Sequence, residues 1–169
     1  HVRSRRQRQM CIRDRYCRLY GIAYRTVALD DQWQVPLQAL SGESGGVIFA
    51  NPNAPTGHGH GRDALAALLD RIRDRVVLVD EAYVDFGGES AVPLIQRYSN
   101  LLVTGTFSKS RSLAGLRLGY AIGSRDLIEG LERVKNSFNS YPIDSLAISA
   151  GVAALADRDH FEACREKVI

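Results

Sequence analysis

Residues 75–80, Arg-Val-Val-Leu-Val-Asp, form a continuous apolar run that ends on a carboxylate. Such a run is typical of a strand that is buried on both faces of a parallel sheet. Residues 46–50 (Gly-Val-Ile-Phe-Ala) and 101–104 (Leu-Leu-Val-Thr) have the same character, and residues 118–122 (Leu-Gly-Tyr-Ala-Ile) are a fourth candidate strand. The sequence therefore predicts a sheet whose central strands have no polar face.

Helical patterns lie between and after these strands. Apolar residues recur at the spacing of one helix face between residues 64 and 72. Further helices are expected around residues 92–98, over 126–138 and 145–156 with a break at Pro142, and from residue 159; residues 24–30 are expected to form a short strand and 35–40 a small amphipathic segment. This alternation predicts an α/β fold, with a mostly parallel sheet, helices on both faces and right-handed crossovers.

The composition is that of a folded domain. The 169 residues are 45% hydrophobic and 24% charged, which suits one sizeable core and is too little for two ordinary domains. No apolar run approaches the roughly 20 residues of a membrane helix, and the first residues lack the apolar core of a signal peptide, so we expect a cytoplasmic chain without a membrane partner. The three cysteines have no CxxC spacing and are expected to be reduced thiols.

The excess of positive over negative charge lies in the first fifteen residues. They hold six of the 22 Lys and Arg residues and one of the 19 acidic residues, which leaves 16 basic against 18 acidic residues in the rest. An arginine-rich arm can bind nucleic acid, but the rest of the chain has no basic footprint. Because the composition changes abruptly at Tyr16, we interpret residues 1–15 as a non-native segment without regular structure, residues 16–169 as the native part, and expect no nucleic-acid partner.

Polar side chains follow three of the predicted strands. They lie in the loop 51–57 (Asn-Pro-Asn-Ala-Pro-Thr-Gly), at Asp80 and Tyr83, and in residues 106–109 (Thr-Phe-Ser-Lys). Ligands of open α/β sheets bind at the carboxyl ends of the strands, so we expect these groups to form one site. His58 and His60 lie between glycines without a further ligand cluster, and we expect no metal there.

The motifs NPNAPTG (51–57), DEAYVDF (80–86) and TFSKSRSLAGLRLGY (106–120) resemble, in order and spacing, the fold-type I pyridoxal-phosphate aminotransferases, and among them the histidinol-phosphate aminotransferase family. The resemblance runs from about residue 16 to the last residue and implies part of the large domain, without the family's N-terminal part and C-terminal small domain. It implies pyridoxal 5'-phosphate as cofactor and a homodimeric parent protein. It also implies small-molecule partners: L-histidinol phosphate as amino donor and the keto acid 2-oxoglutarate, converted to imidazole acetol phosphate and glutamate.

The resemblance implies three catalytic side chains. Lys109 matches the lysine that bonds covalently to the cofactor, Asp80 the carboxylate that pairs with its ring nitrogen, and Tyr83 the phenol that binds its ring oxygen. The residue types suit these tasks, because a carboxylate keeps the ring nitrogen protonated and an amine can act as nucleophile and then as base.

Further cofactor contacts are implied at the phosphate and the ring. Thr106, Ser108 and Arg117 match the phosphate-binding groups, and the planar guanidinium suits phosphate oxygens. Many members of the family that this chain resembles have Asn at the position of Ala54, and alanine cannot bind the ring oxygen. Either Asn53 replaces it after a shift of the loop, or the phenol acts alone.

Other activities share these motifs. A threonine-phosphate decarboxylase of cobalamin synthesis or an aromatic aminotransferase would use the same cofactor residues, and the residues that select the substrate are expected largely outside this chain. An aminotransferase-like effector domain of a DNA-binding regulator is a third alternative, although residues 1–40 show no helix-turn-helix pattern. We expect the chain alone to be inactive.

Overall fold

A four-stranded sheet organises the computed structural model, which describes residues 7–42, 45–139 and 143–169. The strands β1 (Gly46–Ala50), β2 (Val76–Asp80), β3 (Leu101–Thr106) and β4 (Gly119–Gly123) lie side by side in that order. The first three strands are parallel and β4 is antiparallel to β3. The prediction of a mostly parallel α/β sheet is confirmed.

One face of the sheet carries the core. Along β1, Val47 and Phe49 are buried. On the same face they lie in register with the buried residues Val77 and Val79 of β2 and Leu101 and Val103 of β3. The helix α2 (Arg62–Arg71) covers this face and inserts Leu65, Leu68 and Leu69, each at most 1% exposed. Burial of this extent, at about 25 cal/mol per Å² of apolar surface, is the main stabilising contribution to the domain.

The opposite face is covered less completely. The helix α3 (Arg125–Phe138) begins against this face. A Cβ atom placed on Gly123, at the end of β4, would lie 3.0 Å from the side chain of Leu102 and 3.7 Å from that of Leu127 in α3. Ile48 of β1, on the same face as Leu102, is 55% exposed. Helices therefore lie on both faces of the sheet, as predicted, but β1 keeps an open apolar side.

Two further helices complete the C-terminal part, α4 (Ser145–Ala156) and α5 (Arg158–Glu166). Both begin at an aspartate whose carboxylate accepts a backbone N–H of the first turn, Asp144 and Asp157. The predicted helices at 126–138, 145–156 and from 159 are thus confirmed. The predicted break at Pro142 lies outside the described residues.

The structure corrects two expectations in the first third of the chain. Residues 24–30 form no strand, since they have no neighbouring strand to pair with and Asp30 instead accepts the backbone N–H groups of Gln32 and Gln34 to make a turn. The N-terminal segment is not without regular structure, because α1 (Gln7–Leu19) crosses its expected boundary. Residues 1–6 lie outside the described part.

Short 3-10 helices replace two predicted segments. Residues 92–98 were expected to be helical, and a 3-10 helix spans Val92–Gln96, with Pro93 in its first turn. The amphipathic segment 35–40 corresponds to the 3-10 helix Leu37–Ser41, and a third one spans Ala114–Leu116.

Several apolar side chains of α3 and α4 face solvent. They include Val134, Phe138, Leu146, Val152 and Leu155, each more than half exposed. Apolar surface of this extent commonly marks a region that contacts another element or protein. Within the described residues, no helix has the length and apolar character needed to cross a membrane.

Candidate active site

Three loops leave the same edge of the sheet because β1, β2 and β3 are parallel neighbours. The pairing continues just past the strand ends: the backbone N–H of Asn51 donates to the carbonyl of Asp80 at 2.9 Å, and that of Glu81 donates to Thr104 at 2.8 Å. The loops that begin at residues 51, 81 and 107 therefore start side by side, and they carry the side chains that the sequence singles out.

Lys109 and Tyr83 meet across two of these loops. The ammonium nitrogen Nζ of Lys109 lies 5.3 Å from the centroid of the Tyr83 ring, within the range of a cation–π contact. Tyr83 is half-buried beside Phe86, with ring centroids 6.4 Å apart, whereas the lysine side chain is exposed. The structure thus brings the predicted amine and phenol residues together.

Asp80 ends β2 and already has a cationic partner. Nη2 of Arg13, in α1, lies 2.8 Å from Oδ2 of Asp80, and the two side chains are 47% and 30% exposed. The other oxygen, Oδ1, accepts the backbone N–H of Ala82 at 3.2 Å. One carboxylate oxygen is therefore fixed by its own loop and the other faces outward to a planar cation.

Thr106 and Ser108 form the turn that follows β3. Oγ1 of Thr106 accepts the backbone N–H of Ser108 at 3.1 Å and lies 3.4 Å from the carbonyl oxygen of Leu118. Arg117, next to Leu118, has φ of 53°, and its Nη1 donates to the carbonyl of Ala114 at 2.9 Å. The three residues expected to bind a phosphate thus lie near one another after β3 and before β4, and the guanidinium of Arg117 is bound to a carbonyl of its own turn.

Asn53 is engaged within its own loop. Its Nδ2 donates to Oγ1 of Thr56 at 2.9 Å, and its backbone pairs with Gly57 and His58. A role for Asn53 at a ligand would need this amide to change its partner, so that role remains a prediction.

Asn51 holds the loop 51–60 together and was not predicted from the sequence. It is 1% exposed, and its side chain makes two hydrogen bonds to the backbone of His60, of 3.0 Å through Nδ2 and 2.7 Å through Oδ1. These bonds close the loop 51–60 at its base. Its place directly after an apolar strand, where a buried polar side chain needs partners, is the signal that could have identified it.

Glu81 is the second missed residue. It is 4% exposed, and its carboxylate accepts from Oγ of Ser90 at 2.7 Å and from the backbone N–H of Ala91 at 2.5 Å. Burial raises the pKa of Glu81, and the nearby charge of Asp85 raises it further against the lowering effect of these hydrogen bonds. Glu81 therefore anchors the loop that carries Tyr83 to the segment that follows it.

The ring of His60 has a partner within the protein. Nε2 of His60 lies 2.8 Å from the carbonyl oxygen of Val35, which ties its ring to the protein. No group of three or more potential metal ligands occurs among the residues that the structure describes.

A shallow depression of about 230 Å³ lies at the other edge of the sheet. It is lined by residues near the start of β2, before β3 and after β4, among them Arg75, Asn100 and Ser124. Arg75 is already paired with Asp74, and Asn100 with two backbone carbonyls. Arg75 and Asn100 therefore already have protein partners, and we place the candidate site at the carboxyl edge, which carries Lys109, Asp80 and Tyr83.

The described residues form an α/β domain in which a lysine, a carboxylate and a phenol lie at the carboxyl ends of a mostly parallel sheet. The sequence model of the family "Aminotransferase class I and II" matches residues 13–169. The chain belongs to this family.

Particular relatives agree with that family. A histidinol-phosphate aminotransferase of Chromohalobacter salexigens is 77% identical over 154 residues, which are 91% of this chain and 44% of the relative. The crystal structure of a histidinol-phosphate aminotransferase from Sinorhizobium meliloti, in complex with pyridoxal-5'-phosphate, has a TM-score of 0.80 at 24% identity, over 91% of this chain and 43% of that one. An L-threonine-O-3-phosphate decarboxylase from Porphyromonas gingivalis has a TM-score of 0.70 at 25% identity, over 88% and 44%. The chain thus spans less than half the length of these proteins.

Proposed function

We propose that this chain is the central part of the large domain of a pyridoxal-phosphate-dependent aminotransferase, and that the parent protein is a histidinol-phosphate aminotransferase of histidine biosynthesis. The observation that carries the proposal is the contact of Lys109 with Tyr83 beside Asp80, at the carboxyl edge of adjacent parallel strands. The 77% identity to a protein of that name supports the choice of substrate, L-histidinol phosphate with 2-oxoglutarate as amino acceptor.

The donor set fits the proposed cofactor. Asp80 binds the planar guanidinium of Arg13 through its outward oxygen, so this position accepts a planar cation such as a protonated pyridine ring. Tyr83 would donate its hydroxyl to the ring oxygen, with Asn53 as a second donor if its amide leaves Thr56. Thr106, Ser108 and Arg117 would bind the phosphate; of the five N–H donors of the guanidinium, the bond to Ala114 uses one.

The catalytic work then falls to Lys109 and Asp80. Bound at this site, pyridoxal 5'-phosphate would supply an electron sink for the negative charge that develops on the substrate carbon. Asp80 would hold the proton on the ring nitrogen. Lys109 would hold the cofactor through Nζ, and the free amine would act as the base that takes the proton from the α carbon of the substrate.

Part of the proposal concerns the parent protein as a whole. We propose a cytoplasmic homodimer in which further segments cover the exposed apolar side chains of α3 and α4. We also propose that residues 1–15 are not native to it. The family match begins at residue 13, which supports this boundary to within a few residues.

A chimera tests the proposed activity directly. The 154 matched residues of this chain would replace those of the Chromohalobacter relative, so that the flanking segments come from a protein 77% identical over the exchanged part. We expect glutamate to form from L-histidinol phosphate and 2-oxoglutarate in the chimera, and no turnover in the 169-residue chain alone.

Assays of the chimera with other substrates separate the alternative activities. Decarboxylation of threonine phosphate, or a preference for aromatic amino acids, would contradict the proposed substrate but keep the cofactor chemistry. Absence of any cofactor-dependent reaction in a folded chimera would contradict the proposed function as a whole. The chimera with Lys109→Ala is the matched control.

A further inference from the structure

A second contact joins the two loops that carry Tyr83 and Lys109. The carboxylate of Asp85, two residues after Tyr83, accepts a hydrogen bond from the hydroxyl of Ser110, the residue after Lys109. The contacts Tyr83 to Lys109 and Asp85 to Ser110 therefore lie next to each other and join the same two loops.

The base of the Lys109 loop is held independently of this contact. Phe107 is 7% exposed, its backbone N–H donates to Leu118, and its carbonyl accepts from Leu113. Its ring packs edge-on against Tyr120, with centroids 6.0 Å apart. The loop is thus fixed at residue 107, whereas burial does not hold the lysine, whose side chain is exposed.

The Asp85 carboxylate is in a semi-buried position that favours a strong hydrogen bond. Hydrogen bonds to a charged acceptor are shorter and stronger than those between neutral groups. The negative charge of Asp85 contributes to the raised pKa of both Glu81 and Tyr120, although burial is the larger cause for each. Asp85 therefore lies close enough to Glu81 and Tyr120 for its charge to act on both, and its carboxylate accepts a hydrogen bond from Ser110.

We infer that Asp85 is a positioning residue for Lys109: through the hydroxyl of Ser110 it fixes the tip of the Lys109 loop, so that Nζ of the lysine stays over the ring of Tyr83. The consequence for catalysis rests on the proposed function. There, a displacement of the amine by about 1 Å is enough to slow a reaction that depends on near-attack geometry.

The position of Lys109 can be measured without any cofactor. The sequence has three lysines, Lys109, Lys135 and Lys167, so the full chain with ¹³C at the lysine ε carbon gives three NMR signals. The ring of Tyr83 should displace the Lys109 signal upfield from the other two. Tyr83→Leu gives the reference position without the ring, and Lys109→Arg assigns the signal.

The inference predicts how four variants behave. Asp85→Ala and Ser110→Ala should each move the Lys109 signal to the position seen in Tyr83→Leu. Two conservative variants should retain the upfield position: Ser110→Thr, because it keeps the hydroxyl, and Tyr83→Phe, because it keeps an aromatic ring. Unchanged far-ultraviolet circular dichroism of each variant shows that the fold is intact, and the exposed Lys135 and Lys167 serve as chemical-shift references.

Two results would overturn the inference. One is a Lys109 signal that stays in place in either Asp85→Ala or Ser110→Ala; the other is a wild-type signal that already coincides with that of Tyr83→Leu. Because pyridoxal phosphate is not part of the measurement, failure of the proposed function would leave these outcomes unchanged. Conversely, if the chimera is active but its Lys109 signal does not change in Asp85→Ala, the inference is refuted and the proposed function stands.

Discussion

Replacement of Gly105 by alanine should disturb the contact between β3 and β4 directly above the Lys109 loop. Gly105 pairs with Tyr120 in the antiparallel ladder. A Cβ at residue 105 would lie 2.3 Å from Cζ and 2.4 Å from the hydroxyl oxygen of Tyr120, closer than real Cβ contacts allow. The Tyr120 ring must therefore move, and its edge-on contact with Phe107 is then weakened.

The expected cost of Gly105→Ala is that of overpacking, about 1–3 kcal/mol in the free energy of unfolding. Urea unfolding of the 169-residue chain, followed by circular dichroism, measures it. Gly115→Ala is the matched control, because nothing lies within 4 Å of its Cβ position, and we expect a change within about 0.5 kcal/mol.

A double-mutant cycle isolates the clash. In a Tyr120→Ala background the alanine at position 105 meets no ring, so its cost should fall to that of the control. Equal costs for Gly105→Ala and Gly115→Ala, or an undiminished cost in the Tyr120→Ala background, would refute the packing argument.

Three further changes test the site and its surroundings. Asp80→Asn in the chimera should slow the half-reaction by orders of magnitude, each factor of ten being about 1.4 kcal/mol of barrier, because an amide no longer holds the proton on the ring nitrogen. Single-turnover absorbance measures this rate, and a near-wild-type rate would contradict the proposed role of Asp80. Deletion of residues 1–15 should change the free energy of unfolding by less than about 1 kcal/mol, because the Arg13–Asp80 pair is a partly exposed ion pair. The deletion should also raise the affinity of the chain for pyridoxal phosphate, because it frees Asp80. A large loss of stability would show that the segment belongs to the fold. Burial raises the pKa of Glu81 above 4.5 in the folded chain. Its favourable contribution to the free energy of unfolding is therefore complete below that pH and is lost as the pH rises through the folded pKa. Glu81→Gln should flatten the dependence of the unfolding free energy on pH between pH 4 and 8, and an equally steep dependence would speak against a raised pKa.

The sheet could be predicted because its strands carry their own signal. Residues 76–79 and 101–103 are apolar without interruption, a pattern typical of central strands, and the structure forms a strand at each place. Residues 24–30 have comparable β propensity but form no strand. A strand depends on a partner as well as on its own residues, and residues 24–30 have none in the described chain.

The candidate site was only partly predictable. Chain order at the strand ends was enough to expect Lys109, Asp80 and Tyr83 at one edge, where the structure places them. The supports were not visible, because Asn51 and Glu81 act through backbone groups that only the folded loops bring near. The pairing of Arg13 with Asp80 was also missed, since an arginine-rich segment without apolar periodicity gives no indication of where it docks.

Covalent trapping of the cofactor is the most direct test that Lys109 is the reactive amine. The chimera would be incubated with pyridoxal 5'-phosphate, reduced with borohydride and digested, and the pyridoxyl group located by mass spectrometry. Lys135 and Lys167 are exposed internal references within the same sequence. We predict that the label falls on the peptide containing Lys109 and disappears in Lys109→Ala. Comparable labelling of Lys135 and Lys167, or an unchanged yield in Lys109→Ala, would contradict the proposed site.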